Sequence, residues 1–277
     1  MTSTAVAPHD RWLALAALTA PVCAGAAALA LGGAPNAYLT VNLAALAVAW
    51  VLMWAPPVPR IAIPAIVSGT AVALLAASLL LGPETAGVRR WIAVGPLRLH
   101  AGMLILPALA VVLPQLPKPF GAAVVAGCAV MIWLQPDLAS ASALFLGVMA
   151  GSSGLRLIPH DIVMRACAAG GLIATSFRPD PLGSVRFVET ALSDGWAISP
   201  VLGAAMAAAL VAAVTIAPQL LIRGAPHLRH SARGLIGAMC GFAGLSLILP
   251  YPQPLIGYGA SAILGYGLAL AVLRQLR

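Results

Sequence analysis

Residues 61–81 read IAIPAIVSGTAVALLAASLLL, without one charged side chain. Crossing the hydrocarbon core of a bilayer takes about 20 such residues, and this run supplies them. Runs of the same kind recur on either side, at 12–31, 38–54, 120–134, 200–222, 235–249 and 255–273. Three shorter or small-residue-rich runs lie at 102–116, 138–154 and 162–177. Of the 277 residues, 61% are hydrophobic and 8% are charged, against about 25% charged in a soluble domain. Lipid must therefore be the solvent. The expected architecture is all-α: a polytopic membrane protein of about ten transmembrane helices, one integral membrane domain over 1–277. The first run follows His9, Asp10 and Arg11 and has the composition of a secretory leader. Its length and the runs after it make it the first helix instead.

The net charge of +8 does not point to nucleic acid, because the basic residues stand singly or in small groups at the ends of apolar runs rather than on one face. They read as topology signals. With the N-terminus inside, the inner segments hold ten of the 15: Arg11, Arg60, Lys118, Arg156, Arg165, Arg223, Arg229, Arg233, Arg274 and Arg277. The outer segments hold Arg89, Arg90, Arg98, Arg178 and Arg186. This bias predicts cytoplasmic termini and a multi-pass protein of the inner (plasma) membrane. Arg165, near one end of its run, is expected to snorkel to the interface. Cys23, Cys128, Cys167 and Cys240 lie in or near apolar runs without a CxxC pair, so they read as small buried side chains. Pro21, Pro64, Pro107 and Pro218 fall inside spans, where each is expected to kink its helix or open a cavity.

Five of the seven acidic residues, Glu84, Asp137, Asp180, Glu189 and Asp194, fall in outer segments. Polar work is therefore sought there, in four stretches. The first runs from Gly87 to His100 and contains Arg89, Arg90, Trp91 and Arg98. Adjacent guanidiniums can clamp phosphate bidentately, and an indole suits the headgroup level. The plainer alternative is an interfacial anchor on ordinary membrane lipid. In the second, Gln135-Pro136-Asp137, the aspartate either organises a site or simply caps the next helix. The third, from Arg178 to Trp196, holds three carboxylates and two guanidiniums. Asp180-Pro181 reads as a turn, Ser184 as the cap of a short helix, Arg186 and Glu189 as a pair one turn apart, and Asp194-Gly195 as the helix end. The fourth, Pro250 to Ser261, is rich in Pro, Gly and Tyr; it either lines a cavity with irregular backbone or starts a helix.

These four stretches, in this order on ten spans, resemble the SEDS family of FtsW and RodA. The family's Gly-x-Arg-Arg-Trp-Ile-x-x-Gly stands as Gly87 to Gly95. Its Leu-Gln-Pro-Asp-Leu-Gly-Thr-Ala stands as Leu134 to Ala141, with Ala139 and Ser140 departing. In its Pro-Phe-x-Ser-Tyr-Gly-Gly-Ser, Tyr258, Gly259 and Ser261 match, while Leu255, Gly257 and Ala260 depart. The family's Gln-Pro-Ser-Glu is replaced by His100, Ala101, Gly102 and Met103, which removes a glutamate. The late outer loop is shorter than the family's and lacks its Thr-Asp-Phe-Ile-Phe-Ala. Counting back from the eighth span matches Asp194 to that string's aspartate; counting forward from Asp180-Pro181 puts Asp194 in a glycine-rich stretch.

The resemblance implies a membrane protein of cell division or cell shape that polymerises glycan strands of peptidoglycan from lipid II, a polyprenyl-pyrophosphate sugar, at the outer surface. It also implies a bitopic penicillin-binding protein as partner. On this reading Asp194, with Glu189 second, takes the proton of the acceptor hydroxyl. Arg89, Arg90, Trp91, Arg98 and Arg186 hold the pyrophosphate and lipid. Asp137, Gln135, Tyr258 and Ser261 organise the site. No metal-ligand cluster is visible; Mg²⁺ bridging pyrophosphate and a carboxylate is the one cofactor the reading leaves room for. Two other functions fit the same residues. One is a non-catalytic lipid-binding scaffold of the division or elongation machinery. The other is a transporter of a lipid-linked precursor, against which stands the lack of an acidic residue deep in a span.

Overall fold

The computed structural model describes residues 7–152 and 159–277; Arg156 lies outside them. Helices α1 (Pro8–Leu31), α2 (Asn36–Trp54) and α3 (Ile63–Leu81) come first. A hairpin of β1 (Trp91–Val94) and β2 (Leu97–His100) leads into α4 (Ala101–Val112), extended by a 3₁₀ turn at Leu113–Gln115. There follow α5 (Lys118–Leu134), α6 (Leu138–Gly151) and α7 (Pro159–Ser176). The chain ends with a short α8 (Ala191–Ile198), α9 (Pro200–Leu221), α10 (Arg229–Ser246) and α11 (Ala260–Leu276). Apart from α8, these helices lie on the ten runs read from the sequence. Four of them, α1, α2, α3 and α9, are both long and apolar enough to cross a membrane.

The core is built on α4 and α11. Nearly every residue of α4 is buried, as expected of a helix apolar all round. Helix α11 packs on α4 and α2, α10 on α6 and α4, α1 on α9, and α5 on α7. Small residues let backbones touch: a Cβ at Gly265 of α11 would stand 2.1 Å from the Met103 carbonyl oxygen of α4. The outward faces stay greasy, with Val51, Leu80 and Val201 all more than two-thirds exposed. Such a surface needs lipid, not water, against it.

The structure corrects several local expectations. Pro64 does not interrupt α3 but sits in its first turn, where a missing N–H costs nothing. Pro21, Pro107 and Pro218 do lie inside helices. The last helix begins at Ala260, not 255, because residues 250–259 form turns. Arg165 Nε also donates to Ser152 Oγ at 3.0 Å, a contact the sequence did not suggest. Asp194 and Gly195 lie within α8 rather than ending a helix. All four cysteines are free thiols, but only Cys128 is buried; Cys167 is half-buried, and Cys23 and Cys240 face outward.

Candidate functional site

The polar loops gather at one end of the bundle, and the hairpin organises them. Residues paired across an antiparallel ladder share a face, and alternate residues switch faces. Trp91 pairs with His100, and Ala93 with Arg98, so Trp91, Arg98 and His100 share one side. Ile92 and Leu99, on the other, pack on the core. The first side walls a cavity of about 340 Å³, closed opposite by Val188, Gln253, Tyr258 and Ser261.

Beneath the hairpin lies a buried ionic cluster. Arg90 is 3% exposed and Asp137 fully buried. The Arg90 guanidinium donates to Asp180 Oδ1 at 2.6 Å and lies 3.8 Å from Asp137 Oδ1. Asp137 caps α6 by accepting the Ser140 N–H at 3.1 Å. Its second oxygen stands 3.3 Å from His100 Nε2. His100 Nδ1 accepts the Met103 N–H, which leaves Nε2 to carry the ring's proton toward Asp137. Burial opposes the charge on Asp137, yet His100 and Arg90 outweigh it and hold the carboxyl below the usual carboxylate range. Tyr251, buried beside this cluster, has its pKa pushed up by burial first and then by the charges of Asp180 and Asp137, which keeps its hydroxyl neutral.

Gly102 makes room for this cluster. A Cβ there would meet Ser140 Oγ at 1.9 Å and Ser140 Cβ at 3.0 Å. Gly102→Ala is therefore expected to cost about 1–3 kcal/mol through overpacking, read as a lower unfolding temperature in detergent. Adding Ser140→Ala should recover part of that loss, since it removes the oxygen met at 1.9 Å.

The wall opposite the hairpin is a strapped loop. The Tyr258 N–H donates to the Phe187 carbonyl at 2.8 Å and the Gln253 N–H to the Val188 carbonyl at 3.0 Å. Asn42, buried in α2, grips both sides of the bend: its Nδ2 donates to Gly257 O and its Oδ1 accepts the Gly259 N–H, each at 3.0 Å. Tyr258 stacks on Tyr38 with centroids 3.7 Å apart. Phe187 and Leu255 take left-handed φ values of 69° and 67°, strain of the kind found at functional bends.

The residues expected from sequence are divided by the structure. Trp91, Arg98, Tyr258 and Ser261 line the cavity; Ser261 Oγ also accepts the His100 N–H at 2.8 Å. Arg98, exposed, donates to Thr85 Oγ1 at 3.2 Å. Arg89 and Arg90 do not form a clamp. As neighbours they point apart, Arg89 pairing with Glu84 at the surface at 3.0 Å and Arg90 turning inward. Gln135 is internal, donating to Leu75 O and Ser78 Oγ. Arg186 does not pair with Glu189; it donates to Gly32 O at 3.3 Å and lies over the Phe187 ring.

Glu189 accepts the Val185 N–H and lines a second, open cavity of about 400 Å³ with Ser184, Ser193, Trp196 and Gln253. Gln253 borders both cavities. Burial, with the Asp180 charge adding to it, raises the Glu189 pKa. Asp194 accepts the Thr190 hydroxyl at 2.7 Å in the first turn of α8 and lines neither cavity. Asp180, Tyr251, His100 and Asn42 were not singled out as site residues by the sequence. Among the described residues no three acidic, imidazole or thiol side chains converge as a metal would require.

No family model and no curated protein matches the sequence. The fold, however, matches solved structures over 95% of the chain. RodA, the rod shape determining protein of Thermus thermophilus, superposes with TM-score 0.64 at 24% identity, covering 96% of that chain. An Asp-to-Ala mutant of it gives 0.66 at 22%, covering 97%. A chain of a peptidoglycan synthase complex, described as coordinating polymerization and crosslinking, gives 0.69 at 21% and 97%. This chain has the RodA fold.

Proposed function

We propose that the chain is a SEDS protein that polymerises glycan strands from lipid II at the outer surface of the inner membrane, in cell shape or division. On this reading the shorter helices cross together with α1, α2, α3 and α9, only α8 lying outside the bilayer, and both termini are cytoplasmic. The observation that carries this reading is the meeting of the hairpin and the late loop. The Arg90–Asp180 contact ties them together beneath a cavity that presents Arg98, Trp91 and Tyr258. A cationic and aromatic wall suits a pyrophosphate-bearing sugar lipid.

In the proposed reaction an acceptor sugar hydroxyl attacks the anomeric carbon of the donor. The bond from that carbon to the pyrophosphate oxygen breaks, and the hydroxyl proton passes to a carboxylate. Arg98 meets the charge that develops on the departing pyrophosphate. Glu189 and Asp194 are the candidate bases, and Glu189 is the one that faces a cavity. Arg90, Asp137 and His100 position the hairpin. Asp137 and Asp180 are engaged by Arg90, so no step is assigned to Mg²⁺. A bitopic penicillin-binding protein is the proposed partner.

Purified protein given labelled lipid II, with and without such a partner, should yield glycan polymer. Arg98→Ala should lower polymer yield and lipid II affinity about 10- to 150-fold, in line with a lost charged hydrogen bond of about 1.5–3 kcal/mol, without lowering the unfolding temperature. A second reading draws on Met103, which stands where the family has glutamate, and on Asp194, which is turned onto Thr190. It is the non-catalytic scaffold: lipid II bound, Arg98-dependent, and no polymer.

A further inference from the structure

At the end of the bundle opposite the polar cavity, α2, α3 and α11 leave a groove of about 250 Å³. Leu52, Val58, Ile66, Val67, Leu268 and Val272 are among its walls, which are almost wholly apolar. Ile66 is 58% and Val58 48% exposed, so the groove opens outward. Its end is polar and cationic. Gln275 closes it by accepting the Val58 N–H at 2.8 Å and donating to Pro56 O at 3.2 Å. The Arg274 guanidinium donates to the carbonyl of Ala55, a groove residue, at 2.7 Å. Arg11 lies over the ring of Trp54 at 4.5 Å, the residue next to the Ala55 that Arg274 holds, so the two cations flank one end of α2. Among the described residues neither arginine pairs with a carboxylate: Asp10, beside Arg11 in sequence, is taken by Arg223 at 3.0 Å. The Nε–H groups of Arg11 and Arg274 are buried without an acceptor. Trp12 and Trp54, 5.2 Å apart and about half exposed, mark headgroup depth.

Two like charges held together with donors unspent, at the mouth of an apolar groove, call for an amphiphile with an anionic head. We propose that this groove binds an anionic phospholipid, its phosphate held by Arg11 and Arg274 and an acyl chain lying along α2, α3 and α11. Basic pockets between helices select anionic lipid in this way. The site is independent of the glycan chemistry proposed above.

The test is lipid retention by the full chain, read by native mass spectrometry after exchange into micelles holding equal dioleoyl phosphatidylglycerol and dioleoyl phosphatidylcholine. The unaltered protein should retain phosphatidylglycerol preferentially. Arg11→Gln and Arg274→Gln should each lower that preference about fivefold, the loss expected per basic residue at an anionic surface. Arg274→Lys should keep most of it. Ile66→Trp, filling the groove from its open side, should lower retention of both lipids. Among the described residues Arg11 makes no side-chain hydrogen bond, so Arg11→Gln remains informative even if Arg274→Gln disturbs the Ala55 contact. Equal retention of the two lipids, or a preference unchanged in Arg11→Gln, overturns the proposal.

Discussion

Arg90→Ala is expected to destabilise the protein by about 3–5 kcal/mol, the range for breaking a buried ion pair from one side. The neighbouring Arg89→Ala should change stability by at most about 1 kcal/mol. The difference follows from the partners. Arg89 pairs with Glu84, and both side chains are about half exposed. Arg90 is the cation between Asp137, fully buried, and Asp180, one-fifth exposed. Removing it leaves Asp137 ionised in the interior with only His100 and the Ser140 N–H, and frees the late loop from the hairpin. Arg90→Lys should not restore stability, because a compact ammonium on a shorter fork cannot serve both carboxylates. The pair Arg90→Met with Asp137→Leu should cost less than the two single changes added together. Unfolding in detergent checks this. Near-additive losses would mean that the two side chains do not interact.

The cluster also sets a pH limit. The Asp137 carboxyl is held below its unfolded value, so it contributes stability above the ordinary carboxylate pKa. That contribution is lost as pH falls from the ordinary carboxylate value through the lowered folded one, and Asp137→Asn should abolish that part of the acid sensitivity.

On the proposed mechanism Glu189→Gln is expected to carry the second large effect, a loss of about 10²–10⁴-fold in polymer formation, the usual contribution of a general base. Glutamine keeps the acceptor for the Val185 N–H, so the loop should hold. The sign of the stability change separates chemistry from folding. The folded Glu189 pKa is raised, so the fold disfavours its ionised form and loses stability as pH rises from the ordinary carboxylate value through the raised one. Removing that charge should leave stability at neutral pH equal or slightly higher. Because a base must be ionised, polymer formation by the unaltered protein should, on the proposed mechanism, rise with pH through a midpoint above the ordinary glutamate value. Full activity in Glu189→Gln, with loss in Asp194→Asn, would transfer the role to Asp194.

Hydrophobic run length located the helices well, because a span announces itself locally. The ends were less legible. Residues 255–259 are apolar enough to extend α11, but the Asn42 clamp on Gly257 and Gly259 holds them in a bend. That contact joins positions more than 200 residues apart and leaves no local signal. Asp137 as a helix cap was readable from its spacing; its place against Arg90 was not. The arginine pair shows the limit most plainly. Two adjacent guanidiniums suggested a clamp, yet in extended backbone neighbours face opposite ways, and one of them became the buried centre of an ionic cluster. Asp180 read as a turn residue because its partner lies 90 positions earlier. Strand alternation, by contrast, would have placed Trp91, Arg98 and His100 together had the Gly95-Pro96 turn been read as a hairpin.

The most direct measurement is photocrosslinking with a lipid II analogue carrying a photoreactive group beside the pyrophosphate, followed by peptide mapping. Adducts in peptides holding Trp91 to His100 and Gln253 to Ser261, diminished by Arg98→Ala, are the predicted result. Adducts confined to the opposite end of the bundle, or a pattern indifferent to Arg98, would contradict the assignment of this cavity to a pyrophosphate-linked sugar.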